Sequence, residues 1–173
     1  MLQQCSPSLN LMTLPCPLSI PTCNPDPTFA SNPHMAIVHI TRRERFSAAH
    51  RLGNPAWGDE KNLEVFGKCS NPNWHGHNYE LWVTVKAAVN KETGFVVNLK
   101  QLSHLMHVHV IDVVDHKNLD LDVPFMKGVG STTENLAVAI WQQLEGPVKQ
   151  IGGQLHCVKV QETENNSVEY YGA

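Results

Sequence analysis

The chain lacks the features that mark several large classes of protein. No stretch approaches the run of about 20 apolar residues that a bilayer-spanning helix needs. The five cysteines are odd in number, irregularly spaced and form no CxxC pair, which gives no support to a zinc finger, a thioredoxin-like site or a disulfide framework. The net charge is only −3, so nothing global indicates nucleic acid or an anionic membrane as a partner. No fingerprint for a nicotinamide or flavin cofactor is present.

Residues 1–34 differ in composition from the rest of the chain. Seven of the eleven prolines lie there, Asp26 is the only acidic residue, and Lys and Arg are missing. We interpret this segment as a disordered N-terminal extension and residues 35–173 as one folded domain. The segment lacks the basic start of a signal peptide, so the cytoplasm is the default expectation. Our hypothesis is that Met35 is the natural start.

Hydrophobic periodicity predicts the elements of that domain. A period of two indicates a strand from Ile37 to about Ala49 and a second strand over residues 79–86. Helical spacing follows over residues 99–113, and a second helix is predicted to begin at Ser131 with a capping box to Glu134. A strand near residues 158–162 and a returning strand are joined by Asn165-Asn166, which can form a tight hairpin turn. This β-β-α-α-β-β order predicts an α+β fold, in which two helices cover one face of a four-stranded antiparallel sheet.

Ten histidines direct attention to their spacing. His75 and His77 are two residues apart, so in an extended chain both rings project to the same face and can reach one ion. Gly76 between them lets the backbone bend. His50 is the best candidate for a third ligand, because it ends the first strand after small residues. Three neutral imidazoles and one open position form the ligand set of a catalytic zinc site, whereas two loop histidines without a metal are the plainer alternative.

Cys69 lies near this pair and has three possible roles. It could be a fourth zinc ligand, which would close the site and make it structural. It could be a free thiol beside the cation that acts as a base or nucleophile. It could also be a small buried hydrophobe, but a polar neighbourhood makes that role the weakest.

Asp115-His116 is a second polar cluster. A carboxylate beside an imidazole suits a proton relay. On sequence alone, however, a polar helix terminus with solvated Asp120 and Asp122 explains the cluster better.

Glu162 is unusual because it shares a strand face with apolar residues. A carboxylate there is costly unless it is paired, and it could accept two parallel hydrogen bonds from the amino and ring N–H groups of a heterocycle. The alternative is that the strand has ended and Glu162 is exposed. Thr132, Thr133 and Glu134 could contact a ligand, although helix capping is a sufficient explanation for them.

Taken together, these residues resemble the 6-pyruvoyl-tetrahydropterin synthase family and its 6-carboxytetrahydropterin synthase relatives from about Ile37 to Gly172. The resemblance rests on five segments, which are specific as a set: Phe46-Ser-Ala-Ala-His-Arg-Leu52, Phe66-Gly-Lys-Cys-Ser-Asn-Pro-Asn-Trp-His-Gly-His-Asn-Tyr79, Asp115-His-Lys-Asn-Leu-Asp120, Ser131-Thr-Thr-Glu-Asn-Leu136 and Glu162-Thr-Glu-Asn-Asn166.

The resemblance implies a role for each candidate residue. Those that match the family's zinc ligands are His50, His75 and His77. Those that match its catalytic triad are Cys69, Asp115 and His116. Those that match its pterin pocket are Glu162, which would hold the ring, and Thr132, Thr133 and Glu134, which would line it. The resemblance also implies the tunnelling fold, an oligomeric barrel and a homohexamer of two stacked trimers with sites between subunits.

The resemblance further implies an activity. The substrate would be 7,8-dihydroneopterin triphosphate and the product 6-pyruvoyl-tetrahydropterin, as in tetrahydrobiopterin synthesis, with Zn²⁺ as the cofactor. The spacing of Cys69 from His75 favours this branch over the 6-carboxy branch, which releases acetaldehyde on the route to deazapurines such as queuosine. A zinc-stabilised binding module is the third possibility. The cations available to the triphosphate, among which the sequence does not choose, are Arg42, Arg43, Arg51, Lys68 and Lys117.

Overall fold

The computed structural model describes residues 36–172, so the predicted extension over residues 1–34 lies outside the described part. The strands are β1 (Ile37–His50), β2 (His75–Ala88), β3 (Lys117–Asn118), β4 (Gln154–Gln161) and β5 (Ser167–Tyr170). The α-helices are α1 (Asp59–Phe66), α2 (Leu99–Met106), α3 (Asp112–Val114) and α4 (Thr133–Gln150). A π-helical turn (His107–Ile111) joins α2 to α3, and 3₁₀ turns occur at Gly67–Ser70 and Pro124–Met126.

These strands form one sheet in the order β3-β1-β2-β4-β5. The antiparallel pairing of β1 with β2 runs without a slip from Ile37 opposite Ala88 to His50 opposite His75. The prediction of four antiparallel strands was incomplete, because β3 adds a fifth strand that runs parallel to β1 at Ala48 and Ala49. A strand of two residues is too short to show a hydrophobic period, so no pattern along the chain indicated it.

One face of the sheet carries the core. Tyr79, Leu81, Val83 and Val85 of β2 are all buried, as their alternation predicted. Side chains of α2 and α4 belong to the same buried cluster, so both helices pack on this face. Among the described residues, no helix combines the length and the apolar character needed to cross a membrane.

The apolar stripe of α4 was predicted correctly. Leu136, Ile140 and Leu144 are fully buried, and burying each such side chain contributes about 1.5–3 kcal/mol. The predicted start was wrong by one residue. Thr132 is the N-cap, and its Oγ1 accepts a hydrogen bond from the backbone N–H of Asn135 at 3.3 Å.

Two other local predictions were partly right. Leu102, Met106 and Val110 are buried along the first helical segment, but Leu99 is 42% exposed because it lies in the first turn, away from the core. The predicted β4–β5 hairpin is present, yet neither Asn165 nor Asn166 has the positive φ of a two-residue turn. Residues 162–166 form a longer loop, which a hydrogen bond from the Glu162 N–H to the Asn166 carbonyl closes at 3.1 Å.

Candidate metal centre and active site

Three histidines converge where β1 ends and β2 begins. The strand register places His50 directly opposite His75, and His77 follows two residues later on the same face. One nitrogen from each ring lies within 4.8 Å of the others. The sequence predicted this set, but the convergence depends on the unbroken pairing of the two strands.

Gly76 allows the two strands to approach closely beside this cluster. A Cβ atom at Gly76 would stand 3.2 Å from the carbonyl oxygen of Ala48, which is a tighter contact than side chains normally make. The glycine therefore serves the β1–β2 pairing between the two histidine positions, and β2 stays regular there.

A hydrogen bond fixes the orientation of His50. Its Nδ1 lies 2.8 Å from the carbonyl oxygen of Ser131, and both residues are 1% exposed. Because a carbonyl can only accept, Nδ1 carries the proton, and in the neutral ring Nε2 presents a lone pair. That Nε2 faces Glu162 Oε1 at 3.5 Å, and the same oxygen lies 3.9 Å from His77 Nε2. Lone pairs and a carboxylate that face one another repel, and a cation between them would relieve this repulsion.

The electrostatics of the cluster agree with metal ligation. Neither His50 Nε2 nor His75 Nδ1 has a hydrogen-bond partner among the described residues, although both atoms are buried. Burial lowers the pKa of His75, the nearby His50 and His77 lower it further, and Glu162 opposes the shift. Burial also lowers the pKa of His77 against the raising effect of Glu162. Neutral imidazoles are the form that binds metal, so these three histidines could hold a metal ion.

Glu162 follows the last residue of β4, and its carboxylate turns towards the histidine cluster. The strand has ended before Glu162, as the alternative supposed, but the side chain is only 18% exposed and is therefore not simply solvated. The hydroxyl of Thr133 donates a hydrogen bond to Glu162 Oε1 at 3.0 Å. The first turn of α4 and the end of β4 therefore meet at the cluster.

The other two predicted residues of the α4 turn differ from Thr133. Thr132 is engaged as the N-cap, so capping accounts for its hydroxyl. Glu134 is exposed in the first turn, where its charge complements the positive end of the helix dipole.

Cys69 lies in the 3₁₀ turn after α1 as a free, half-buried thiol. It lines a cavity of about 870 Å³ together with His75 and His77. Arg51 and Lys68 line the same cavity. Within the described residues the metal-ligand group comprises the three histidines and not Cys69, which disfavours a metal shell closed by a thiolate.

Asp115 and His116 form the pair that a proton relay requires. Asp115 Oδ2 lies 2.9 Å from His116 Nδ1, and Asp115 Oδ1 accepts a hydrogen bond from the Ser47 N–H at 2.8 Å. The Ser47 hydrogen bond lowers the pKa of Asp115 most, burial opposes it, and His116 lowers the pKa further. His116 has a φ of 57°, and its ring is 82% exposed. An exposed histidine held in this unusual conformation is available to a ligand that approaches from outside the chain.

The single chain does not gather all the predicted catalytic residues in one cavity. Cys69 lines the cavity beside His75 and His77, whereas Asp115 lines a different cavity of about 610 Å³ together with Glu162.

Three site residues were missed or misread from the sequence. Tyr79 is 1% exposed beside His50 and His77, and its hydroxyl has no partner among the described residues. Burial raises the pKa of Tyr79 well above its usual value, and the charge of Glu162 adds to the effect. Its position two residues after His77 was the available signal. The carbonyl of Ser131 gave no signal, and Asp120 is not simply solvated, because its carboxylate accepts two hydrogen bonds.

The chain matches one family of known proteins. The family model described as 6-pyruvoyl tetrahydropterin synthase matches residues 39–173. The chain is 50% identical over 135 residues to the 6-pyruvoyl tetrahydrobiopterin synthase of Homo sapiens, which covers 78% of this chain and 92% of the relative. It is 44% identical over 136 residues to the enzyme of the same name from Drosophila melanogaster, covering 79% and 80% of the two chains.

Solved structures agree with these matches. The structure of Caenorhabditis elegans 6-pyruvoyl tetrahydropterin synthase aligns with a TM-score of 0.75 at 41% identity, covering 80% of this chain and 98% of the other. The Plasmodium falciparum 6-pyruvoyl tetrahydropterin synthase aligns with a TM-score of 0.54 at 17% identity, covering 79% and 99%, and shows the shared fold alone.

Proposed function

The chain belongs to the 6-pyruvoyl tetrahydropterin synthase family, and we propose that it converts 7,8-dihydroneopterin triphosphate to 6-pyruvoyl-tetrahydropterin with release of triphosphate. Of the two lyase branches, the names of relatives at 50% and 44% identity support the pyruvoyl branch. The cytoplasmic location and the disordered extension stay predictions.

One observation carries this proposal. Three histidines face a carboxylate, and two of their buried nitrogen atoms have no partner among the described residues. This set suits a catalytic divalent metal, which we propose to be zinc, held by His50, His75 and His77. When bound, zinc supplies a Lewis acid that acidifies the C–H bonds beside the substrate's side-chain hydroxyls.

Glu162 is proposed to hold the pterin ring. A carboxylate can accept two parallel N–H bonds from an amino group and a neighbouring ring nitrogen. The hydrogen bond from Thr133 restricts the rotation of the carboxylate, and its distances to the histidines would bring the ring beside the metal. We propose that Thr132 and Glu134 line the rim of the same pocket.

Cys69 is proposed to act as the base that moves protons along the substrate side chain. Its half-buried thiol shares a cavity with two metal ligands, so a side chain bound at the metal would lie within its reach. Loss of triphosphate converts the terminal carbons to a methyl ketone. The remaining side-chain alcohol is then oxidised to a ketone as the ring C=N bond is reduced, so no external oxidant is needed. Arg51 and Lys68 line the same cavity and are our candidates for binding the triphosphate.

The proton relay of Asp115 and His116 is proposed to reach the reaction from a neighbouring subunit. Within one chain Asp115 and Cys69 line different cavities. The sheet also has free edges for association. β3 covers β1 only at Ala48 and Ala49, and residues 115 and 116 bond the backbone of Ser47, so the outer edge of residues 37–46 is unpaired in the described chain. An unpaired edge of this length is a template for strand pairing between chains, which supports a barrel built from several subunits and the predicted hexamer.

The test of the reaction is mass spectrometry of the products that the zinc-loaded protein forms from 7,8-dihydroneopterin triphosphate. We expect 6-pyruvoyl-tetrahydropterin and free triphosphate in equal amounts. Formation of 6-carboxy-tetrahydropterin and acetaldehyde would overturn the pyruvoyl assignment, and a correctly metallated protein without turnover would overturn the enzymatic assignment.

Complementation tests the shared site. Cys69→Ala and Asp115→Asn chains are each expected to be inactive as pure oligomers. If one site takes Cys69 from one subunit and Asp115 from another, oligomers refolded from an equal mixture should recover about one quarter of the wild-type sites. No recovery in mixed oligomers of confirmed composition would place both residues in the same subunit's site.

A further inference from the structure

Asp120 links the two chain segments that carry the first two histidines. Its Oδ2 accepts a hydrogen bond from the backbone N–H of Arg51 at 2.8 Å. The same oxygen accepts a hydrogen bond from the indole Nε1–H of Trp74 at 3.0 Å. Arg51 directly follows His50, and Trp74 directly precedes His75. One carboxylate oxygen therefore binds the chain neighbours of two histidines of the metal-ligand group.

Trp74 needs such a contact because its backbone is strained. Its φ is 59°, in the left-handed region that non-glycine residues rarely adopt. Such a conformation persists only where the surrounding structure holds it in place. A hydrogen bond from the Trp74 N–H to the Asn71 carbonyl at 3.1 Å holds the backbone, and the bond to Asp120 holds the side chain. Because β2 begins at the next residue, the conformation of Trp74 sets the direction in which His75 enters the cluster.

Asp120 is itself fixed to the sheet. Its backbone N–H donates to Asn118 Oδ1 at 2.9 Å, and the N–H of the preceding Leu119 donates to the Ala49 carbonyl at 2.8 Å. The carboxylate thus stands on a segment anchored to β1 beside His50. Hydrogen bonds to a charged acceptor are about twice as strong as neutral ones, so this oxygen holds both the Arg51 backbone and the Trp74 side chain in place.

We propose that Asp120 is a positioning residue of the metal centre, which holds the ends of β1 and β2 so that His50 and His75 meet at one ion. This inference rests on the proposed function only in requiring a metal at the three histidines. It is independent of the pterin chemistry.

Metal affinity tests the proposal directly. Co²⁺ binding to the full chain would be followed by visible absorption, with competition against a chelator to obtain dissociation constants. For Asp120→Ala we expect metal binding about tenfold weaker and an altered Co²⁺ absorption band, because changes outside the ligand shell commonly weaken metal binding 10–100-fold. Asp120→Asn should stay within about threefold of wild type, because the amide oxygen can still accept both bonds. Asp122→Ala is the matched control, since within the described part of the chain this exposed carboxylate of the same loop accepts only from the Asn118 N–H.

A second variant keeps the test decisive if Asp120→Ala folds poorly. Trp74→Phe keeps the aromatic ring and removes only the indole N–H, so it should weaken Co²⁺ binding in the same direction but less. Adding Trp74→Phe to Asp120→Ala should weaken Co²⁺ binding little further, because Asp120→Ala has already lost the hydrogen bond from the indole. Wild-type affinity and absorption in both Asp120→Ala and Trp74→Phe would overturn the proposal while leaving the function intact. A wild-type chain that binds no Co²⁺ would overturn the metal centre and this proposal together, whereas metal binding without pterin turnover would overturn only the proposed reaction.

Discussion

Replacing His50 by asparagine should separate the two roles of this residue. His50 is 1% exposed, donates from Nδ1 to the Ser131 carbonyl at 2.8 Å and directs Nε2 at the cluster. An asparagine amide N–H₂ stands close to the position of Nδ1, so His50→Asn should keep the hydrogen bond and remove the ligand. His50→Ala removes both.

The expected magnitudes follow from burial. The Ser131 residue is also 1% exposed, so His50→Ala leaves a buried carbonyl without its partner, which costs about 1–3 kcal/mol. Without metal, His50→Asn should therefore be more stable than His50→Ala by about 1–3 kcal/mol. With free metal at about 1,000 times the dissociation constant, the wild type should gain about 4 kcal/mol in unfolding free energy. Neither variant should show a comparable gain.

Urea unfolding with and without Zn²⁺ measures both effects. His104→Asn is the control, because this exposed histidine of α2 lies outside the metal-ligand group and should behave as wild type. Equal stability of the two metal-free His50 variants would refute the role of the Ser131 hydrogen bond. A full metal-dependent gain in either variant would refute His50 as a ligand.

Three further predictions concern Cys69, Glu162 and Asp115. Cys69→Ala should keep the zinc content of the wild type, measured by elemental analysis, and lose turnover, because the thiol lies outside the ligand group; retained activity would contradict its role as the base. Glu162→Gln should weaken pterin binding at least tenfold, measured by isothermal titration calorimetry, because an amide cannot accept two parallel N–H bonds. The amide oxygen can still accept the hydrogen bond from Thr133. Unchanged affinity would contradict the role of Glu162 in holding the ring. Asp115 has a depressed pKa in the folded chain because Ser47 donates to it, so its stabilising effect should be present at neutral pH and lost only as the pH falls through the acidic range. Asp115→Asn should therefore reduce the loss of stability seen on acidification in urea titrations, and an unaltered acid profile would contradict the assignment.

Much of the fold was predictable because local periodicity reports burial directly. The alternation in β1 and β2 and the stripe of α4 gave the elements that form the core, with boundaries close to those observed. The elements that were missed are short. β3 has two residues, and α1 buries only Asn62, so neither carries a hydrophobic period. The helix start at Ser131 was misplaced because two adjacent hydroxyl residues could both act as caps, and the tertiary structure uses Ser131 to hold His50.

The candidate site also has features that were predictable from the sequence and features that were not. The residue types and spacing of His75, His77 and Cys69 predicted a metal-centred site, and His50 was predicted from its place at a strand end. Only the tertiary structure decided which groups orient them, because those contacts join residues far apart in the chain. His50 and Ser131 are separated by 81 positions, and Trp74 and Asp120 by 46. Which residues can bind a metal is a property of their side chains. The orientation of these side chains and the separation of Cys69 from Asp115 depend on how the strands pair and how α4 packs on the sheet.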